Sequence, residues 1–127
     1  MKKNIILIDY ENIQRIDLNP LISQEVIIYI FHGKDQKFTG PLLKIALEFG
    51  KDKFIPVEIC GTGKNAADFH IAYFMGKLSK ELENPFFHII SKDTGFKPLA
   101  QYIKEVDKIS CLQETGITGN HLVKPVP

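Results

Sequence analysis

Asn4-Ile5-Ile6-Leu7-Ile8-Asp9 is the stretch that decides the fold. It is an apolar, largely β-branched run closed by a carboxylate. A run that is apolar at nearly every position suits a strand covered on both faces, as in a parallel sheet between helix layers. An acid ending such a strand lies at the sheet's carboxyl edge, where open α/β folds bind ligands. Working outward, the same signature recurs. Glu25–Phe31 reads as a second buried strand, Lys53–Cys60 as a third, Phe86–Ser91 as a fourth and Lys108–Leu112 as a short fifth. Tyr10–Gln24 reads as loop and short helix around Pro20. A helix opens at Pro41 and ends at Gly50, with Leu42, Leu43, Ile45, Ala46, Leu47 and Phe49 as its apolar stripe. Ala66–Leu82 and Gly95–Val106 supply the later helices, with Asn84-Pro85 as a breaker. In the longer one, Phe69, Ile71, Ala72, Phe74, Met75 and Leu78 form a wide face expected to be core.

Strand and helix therefore alternate. That order predicts an α/β fold, a three-layer α/β/α sandwich with a five-stranded, mainly parallel sheet. The chain of 127 residues is one domain in length, expected as a folded unit over 1–112 with an extended tail or linker over 113–127. No stretch reaches about 18 uninterrupted apolar residues, so no membrane span is expected. Met1-Lys2-Lys3 before an apolar run imitates a secretion signal, but the run is short and Asp9 stops it. A net charge of +1 excludes a protein that coats DNA by bulk charge and still allows a local basic rim. Cys60 and Cys111 stand far apart without metal-ligand spacing. They read as two buried free thiols in a reducing cytoplasm.

Three aspartates carry the chemistry. Asp9 ends the first strand, Asp93 follows the fourth, and Asp68 lies in the first turn of the helix after the third. Right-handed crossovers put all three on one edge. Asp68 also gains from the helix dipole, and Asn65 is placed to cap that helix. Carboxylates brought together repel, so such a cluster calls for a divalent cation. Hard oxygen ligands suit Mg²⁺ or Mn²⁺, and no Cys/His cluster competes for a zinc role. Such an ion activates water and stabilises charge on a phosphate under in-line attack. Each aspartate alone also fits a turn or a helix cap; the three together point to phosphodiester hydrolysis.

Three segments carry a resemblance to a known family: Ile8-Asp9-Tyr10-Glu11-Asn12, Gly63-Lys64-Asn65-Ala66-Ala67-Asp68-Phe69-His70-Ile71-Ala72, and Ile90-Ser91-Lys92-Asp93-Thr94-Gly95-Phe96-Lys97-Pro98-Leu99. In order and spacing the chain resembles the PIN-like nucleases, specifically the NYN branch and its bacterial relatives. The resemblance implies a five-stranded parallel sheet of the FEN/PIN kind and a metal-dependent ribonuclease site. Asp9, Asp68 and Asp93 match the family's metal-binding acids, and Asn12 its opening asparagine. PIN-type sites often hold a fourth acid, and Lys97 stands where relatives often carry one. Glu11, on the active edge, is the best substitute; Glu48, at its helix's far end, is a poor one.

Around the acids, Lys64, Asn65, Lys92 and Thr94 are candidate substrate contacts, with Lys97 a further cation beside them. Solvated loop lysines are the plain alternative. Ser91 and Thr94 could hydrogen-bond ligand or a metal-bound water, but local turn bonding is the preferred reading. Tyr10 fits either base stacking or packing over the first loop. His70 follows Asp68 by two, about 200° around a helix, and reads as structural, as does His88. Gly61-Thr62-Gly63-Lys64 lacks the Walker spacing, since position 58 is Glu and Asn65 follows the lysine. The expected activity is endoribonuclease, on single-stranded or structured RNA, with DNA left open. A haloacid-dehalogenase-like phosphatase is the weaker enzyme reading, because position 11 is Glu rather than Asp. A response-regulator receiver is disfavoured by Cys60 near its acceptor position. A non-catalytic RNA-binding or protein-interaction module stays open, as does a homodimer.

Overall fold

The computed structural model describes residues 2–63 and 65–117. Five strands form one sheet: β1 (Lys3–Asp9), β2 (Val26–His32), β3 (Phe54–Glu58), β4 (Pro85–Ile90) and β5 (Ser110–Glu114). Their order is β3-β2-β1-β4-β5, and every neighbouring pair is parallel. The helices are α1 (Gly40–Phe49), α2 (Ala66–Glu81) and α3 (Phe96–Val106), with a short 3-10 turn at Asn19–Leu21. The order reverses between β1 and β4, so the carboxyl ends of those two strands open a crevice.

Side-chain alternation sorts the core into two layers. Ile6 and Ile8 of β1 and Ile28 and Ile30 of β2 pack with Leu18, Leu21, Leu42 and Ile45 on the α1 side. Ile5 and Leu7 of β1 and Phe87 and Ile89 of β4 pack with Ile71, Met75, Leu78 and Ala100 on the α2/α3 side. Asp9 has the parity of Ile5 and Leu7, so its side chain belongs to the layer in which α2 begins. Thr39 caps α1 by accepting from the Leu42 N–H at 3.3 Å. Gly50 closes the same helix at φ 82°, with its N–H on the Ala46 carbonyl.

Several expectations need correction. The helix stripes are narrower than composition suggested: Leu43 is 50% exposed, Leu47 84% and Phe69 72%. Cys60 is exposed rather than buried, since it follows the edge strand β3; Cys111 is buried, and burial pushes its thiol up to about 12. Asn65 makes no side-chain cap; its carbonyl accepts from the Phe69 N–H instead. The last strand runs to Glu114, because it continues pairing along β4 up to Ile90. The part of the expected tail beyond residue 117 lies outside the described residues, as does Lys64. No helix among the described residues is long and apolar enough to cross a membrane.

Candidate active site

Asp9, Glu11, Asn12, Gly63, Ala67, Asp68 and Asp93 line one open cleft of about 280 Å³ at the carboxyl edge of the sheet. Strand β1 delivers Asp9, the turn after it delivers Glu11 and Asn12, α2 delivers Asp68, and the turn after β4 delivers Asp93. The three aspartates singled out from sequence therefore share a pocket with Glu11 and Asn12.

Ser91 organises the pocket. Ile8 pairs with Ile90, so Asp9 and Ser91 are the next residues out along adjacent strands. The fully buried Ser91 hydroxyl donates to Asp9 Oδ2 at 3.1 Å and accepts the Asp93 N–H at 3.0 Å. Asn12 Oδ1 accepts the Lys92 N–H at 2.6 Å and lies 3.3 Å from the same hydroxyl. That ties the β1 turn to the β4 turn and leaves the Asn12 amide its two N–H donors. Gln113 braces the back, donating from Nε2 to the Ser91 carbonyl. On the other flank, Gln36 donates to the Tyr10 carbonyl at 2.9 Å and accepts the Gly33 N–H at 3.1 Å. Glu11 lies against Gly33 so closely that a Cβ there would stand 2.8 Å from Glu11 Oε2. Gly33 is thus the seat of the Glu11 carboxylate.

The electrostatics are those of crowded, partly desolvated acids. Burial raises the Asp9 pKa; the Ser91 and Asn12 hydrogen bonds pull it down, and Glu11 and Asp93 push it up again. Asp68 is pushed up to about 6, by desolvation first, then by its hydrogen bond and charge interaction with Asp93, and by Asp9. Asp9 Oδ1 is buried with no hydrogen-bond partner. A buried carboxylate oxygen without a donor is costly. Among the described residues, no three His, Cys, Asp or Glu side chains are already spaced to hold a metal ion. The donor set nevertheless fits a hard divalent cation: carboxylate oxygens only, one of them orphaned, on acids that raise one another's pKa.

The secondary candidates separate. Lys92 contributes its backbone N–H to Asn12 and has an exposed side chain. Thr94 and Lys97 line a neighbouring cleft with Gln113 and Glu114, not the acid pocket. Asn65 is exposed and does not line the acid pocket. Tyr10 is buried edge-on against Phe38 at 5.2 Å, so it packs rather than stacks on a base. His70 accepts the Cys60 N–H at 3.0 Å and sits 2.7 Å from the Ala66 carbonyl, splinting the loop into α2. Gln36 and Gly33 are contributors that sequence reasoning passed over, and Ser91 anchors the acids rather than serving only local turn bonding. The signal for Ser91 was its place, a small polar residue one step beyond the β4 partner of Ile8.

A family model described as PIN domain matches residues 3–108. No curated protein and no solved structure matches the chain.

Proposed function

The chain belongs to the PIN domain family, and on that premise we propose that it is a metal-dependent endoribonuclease hydrolysing RNA phosphodiester bonds. The observation that carries this reading is the convergence of Asp9, Asp68, Asp93 and Glu11 on one cleft, with the buried Asp9 Oδ1 unpartnered. Asp9, Asp68 and Asp93 would hold Mg²⁺ or Mn²⁺. When bound, the ion supplies positive charge to the scissile phosphate and to the attacking water. Ser91 holds Asp9 by one oxygen and fixes the Asp93 backbone, so two of the ligands share one anchor. Glu11, seated on Gly33, stands in for a fourth acid and takes a proton through water. Asn12, locked on Lys92, offers its amide to a substrate oxygen. Lys92, Thr94, Lys64 and Asn65 remain the proposed contacts for flanking nucleotides; Thr94 would act from the adjoining cleft. The NYN-type reading within the family rests on Asp9 and Asn12. An exposed free thiol at Cys60 suits the reducing cytoplasm proposed as its compartment.

The test is incubation of labelled RNA and DNA with Mn²⁺, with and without EDTA, for the wild type and Asp93→Asn. The expected result is RNA cleavage lost with either EDTA or the substitution. One observation favours a second reading, a non-catalytic RNA-binding module: the acids are not pre-spaced as a metal cage. RNA binding in Mn²⁺ without cleavage, unchanged by Asp93→Asn, would select that reading.

A further inference from the structure

Helix α2 leaves the acid pocket carrying aromatic surface that its packing does not use. Phe69 is 72% exposed and Tyr73 65% exposed. They are one turn apart on the same face, about 6 Å along the axis. At about 100° per residue, Gly76, Lys77 and Lys80 fall on that same outer arc, opposite the buried Ile71, Met75 and Leu78. Residues 69–80 contain no acid. Lys77 Nζ sits 5.3 Å from the Phe74 ring centroid, and Phe74 meets Tyr73 edge-on at 5.8 Å. Phe74 thus touches both the Lys77 cation and the Tyr73 ring. Phe69 directly follows Asp68, so the aromatic face begins one residue beyond a pocket-lining acid.

Folding does not account for this arrangement. Phe69 and Tyr73 leave most of their area in water, and two water-facing rings one turn apart are a poor way to use apolar area. A single strand of nucleic acid presents flat bases in succession, with an anionic phosphate between one base and the next. Stacking rings followed by cations on an acid-free face complement that repeat. A duplex keeps its base faces covered and offers the rings nothing.

We propose that the outer face of α2 is a stacking track for a single-stranded RNA segment running from the acid pocket, with bases on Phe69 and Tyr73 and phosphates near Lys77 and Lys80. The direction of the track rests on the nuclease reading; the binding itself does not. The track selects unpaired substrate by aromatic contact rather than by bulk charge, which suits a chain of net charge +1.

The test exploits the absence of tryptophan from the chain. Phe69→Trp introduces a single reporter whose fluorescence a stacked base quenches. A 12-nucleotide single-stranded RNA is titrated in EDTA, so that cleavage plays no part, against a duplex of the same sequence. The expected result is quenching by the single strand only. The double variant Phe69→Ala/Tyr73→Ala, at exposed positions, keeps the wild-type circular dichroism and weakens single-strand binding by roughly 30-fold or more. Phe69→Tyr/Tyr73→Phe retains the affinity. Unchanged affinity in the double alanine variant, or equal quenching by the duplex, overturns the proposal. So does a wild-type dimer that becomes monomeric in the double alanine variant at unchanged RNA affinity, which would make this face a self-association surface. Aromatic-dependent binding without Mn²⁺-dependent cleavage would sink the nuclease reading and leave the track standing. Cleavage and binding that ignore both aromatics would do the reverse.

Discussion

Strands β1 and β4 carry two buried polar pairs that behave in opposite ways. Towards their amino ends, Asn4 Oδ1 lies 3.0 Å from His88 Nε2, and the His88 ring stacks on Phe86 at 4.2 Å. That pair is closed. At the carboxyl ends, Asp9 meets Ser91 across the same two strands. There one carboxylate oxygen is bonded and the other is buried without a partner, and three further acids line the adjoining cleft. The first pair serves the fold. The second leaves a buried oxygen without a donor, at the position where the proposed cation would bind. Burial alone does not mark function; an unsatisfied buried oxygen among clustered acids is what calls for an explanation.

The sharpest way to break this contrast is to neutralise each end in turn. Asp9→Asn is expected to lower RNA cleavage by about 10³-fold or more, through loss of a charged ligand, while the melting temperature holds or rises. Parallel cleavage assays and thermal melts check both halves. A variant that lost stability along with activity would place Asp9 with the structural pair. His88→Ala should do the opposite: about 2–4 kcal/mol less stability by urea denaturation, from a cavity and a lost buried hydrogen bond. Cleavage per folded molecule should be retained. Ser91→Ala belongs between them, since its hydroxyl serves both the backbone and an acid. It should cost about 1–2 kcal/mol in stability, and cleavage should fall by roughly tenfold as Asp9 and the Asp93 turn lose their anchor.

The smallest effect concerns pH. The Asp68 pKa is raised in the fold to about 6 from its ordinary value of 3.8. A group whose folded pKa is raised contributes stability that is complete below its unfolded pKa and lost as pH rises through the folded value. Without divalent ions, stability should therefore fall between pH 4 and pH 7 by about 1 kcal/mol, since solvent screens the partly exposed carboxyl. Asp68→Asn should flatten that slope in urea titrations. Mn²⁺ added at pH 7 should restore the wild type by binding only the folded state. A wild-type slope that survives in Asp68→Asn would assign the effect elsewhere.

The sheet and the acids were legible because they depend on local signals. Buried strands show as apolar runs, and an acid after such a run has only one edge to occupy. Faces of helices were less legible. Leu43, Leu47 and Phe69 are apolar, yet which arc of a helix meets the sheet depends on packing that composition does not record. Ser91 was legible as a turn residue or a ligand contact but not as the anchor of Asp9, because that role comes from register: it stands beside an acid 82 positions away in sequence. Gly33 and Gln36 are similar, acting on Glu11 and the Tyr10 turn from just beyond the carboxyl end of β2.

The most direct measurement of the central claim is Mn²⁺ binding followed by electron paramagnetic resonance and calorimetry at pH 7, on the wild type, Asp9→Asn and Ser91→Ala. The account predicts a stoichiometric site in the wild type, its loss in Asp9→Asn and a weaker site in Ser91→Ala. A site of equal affinity and stoichiometry in all three proteins would contradict it.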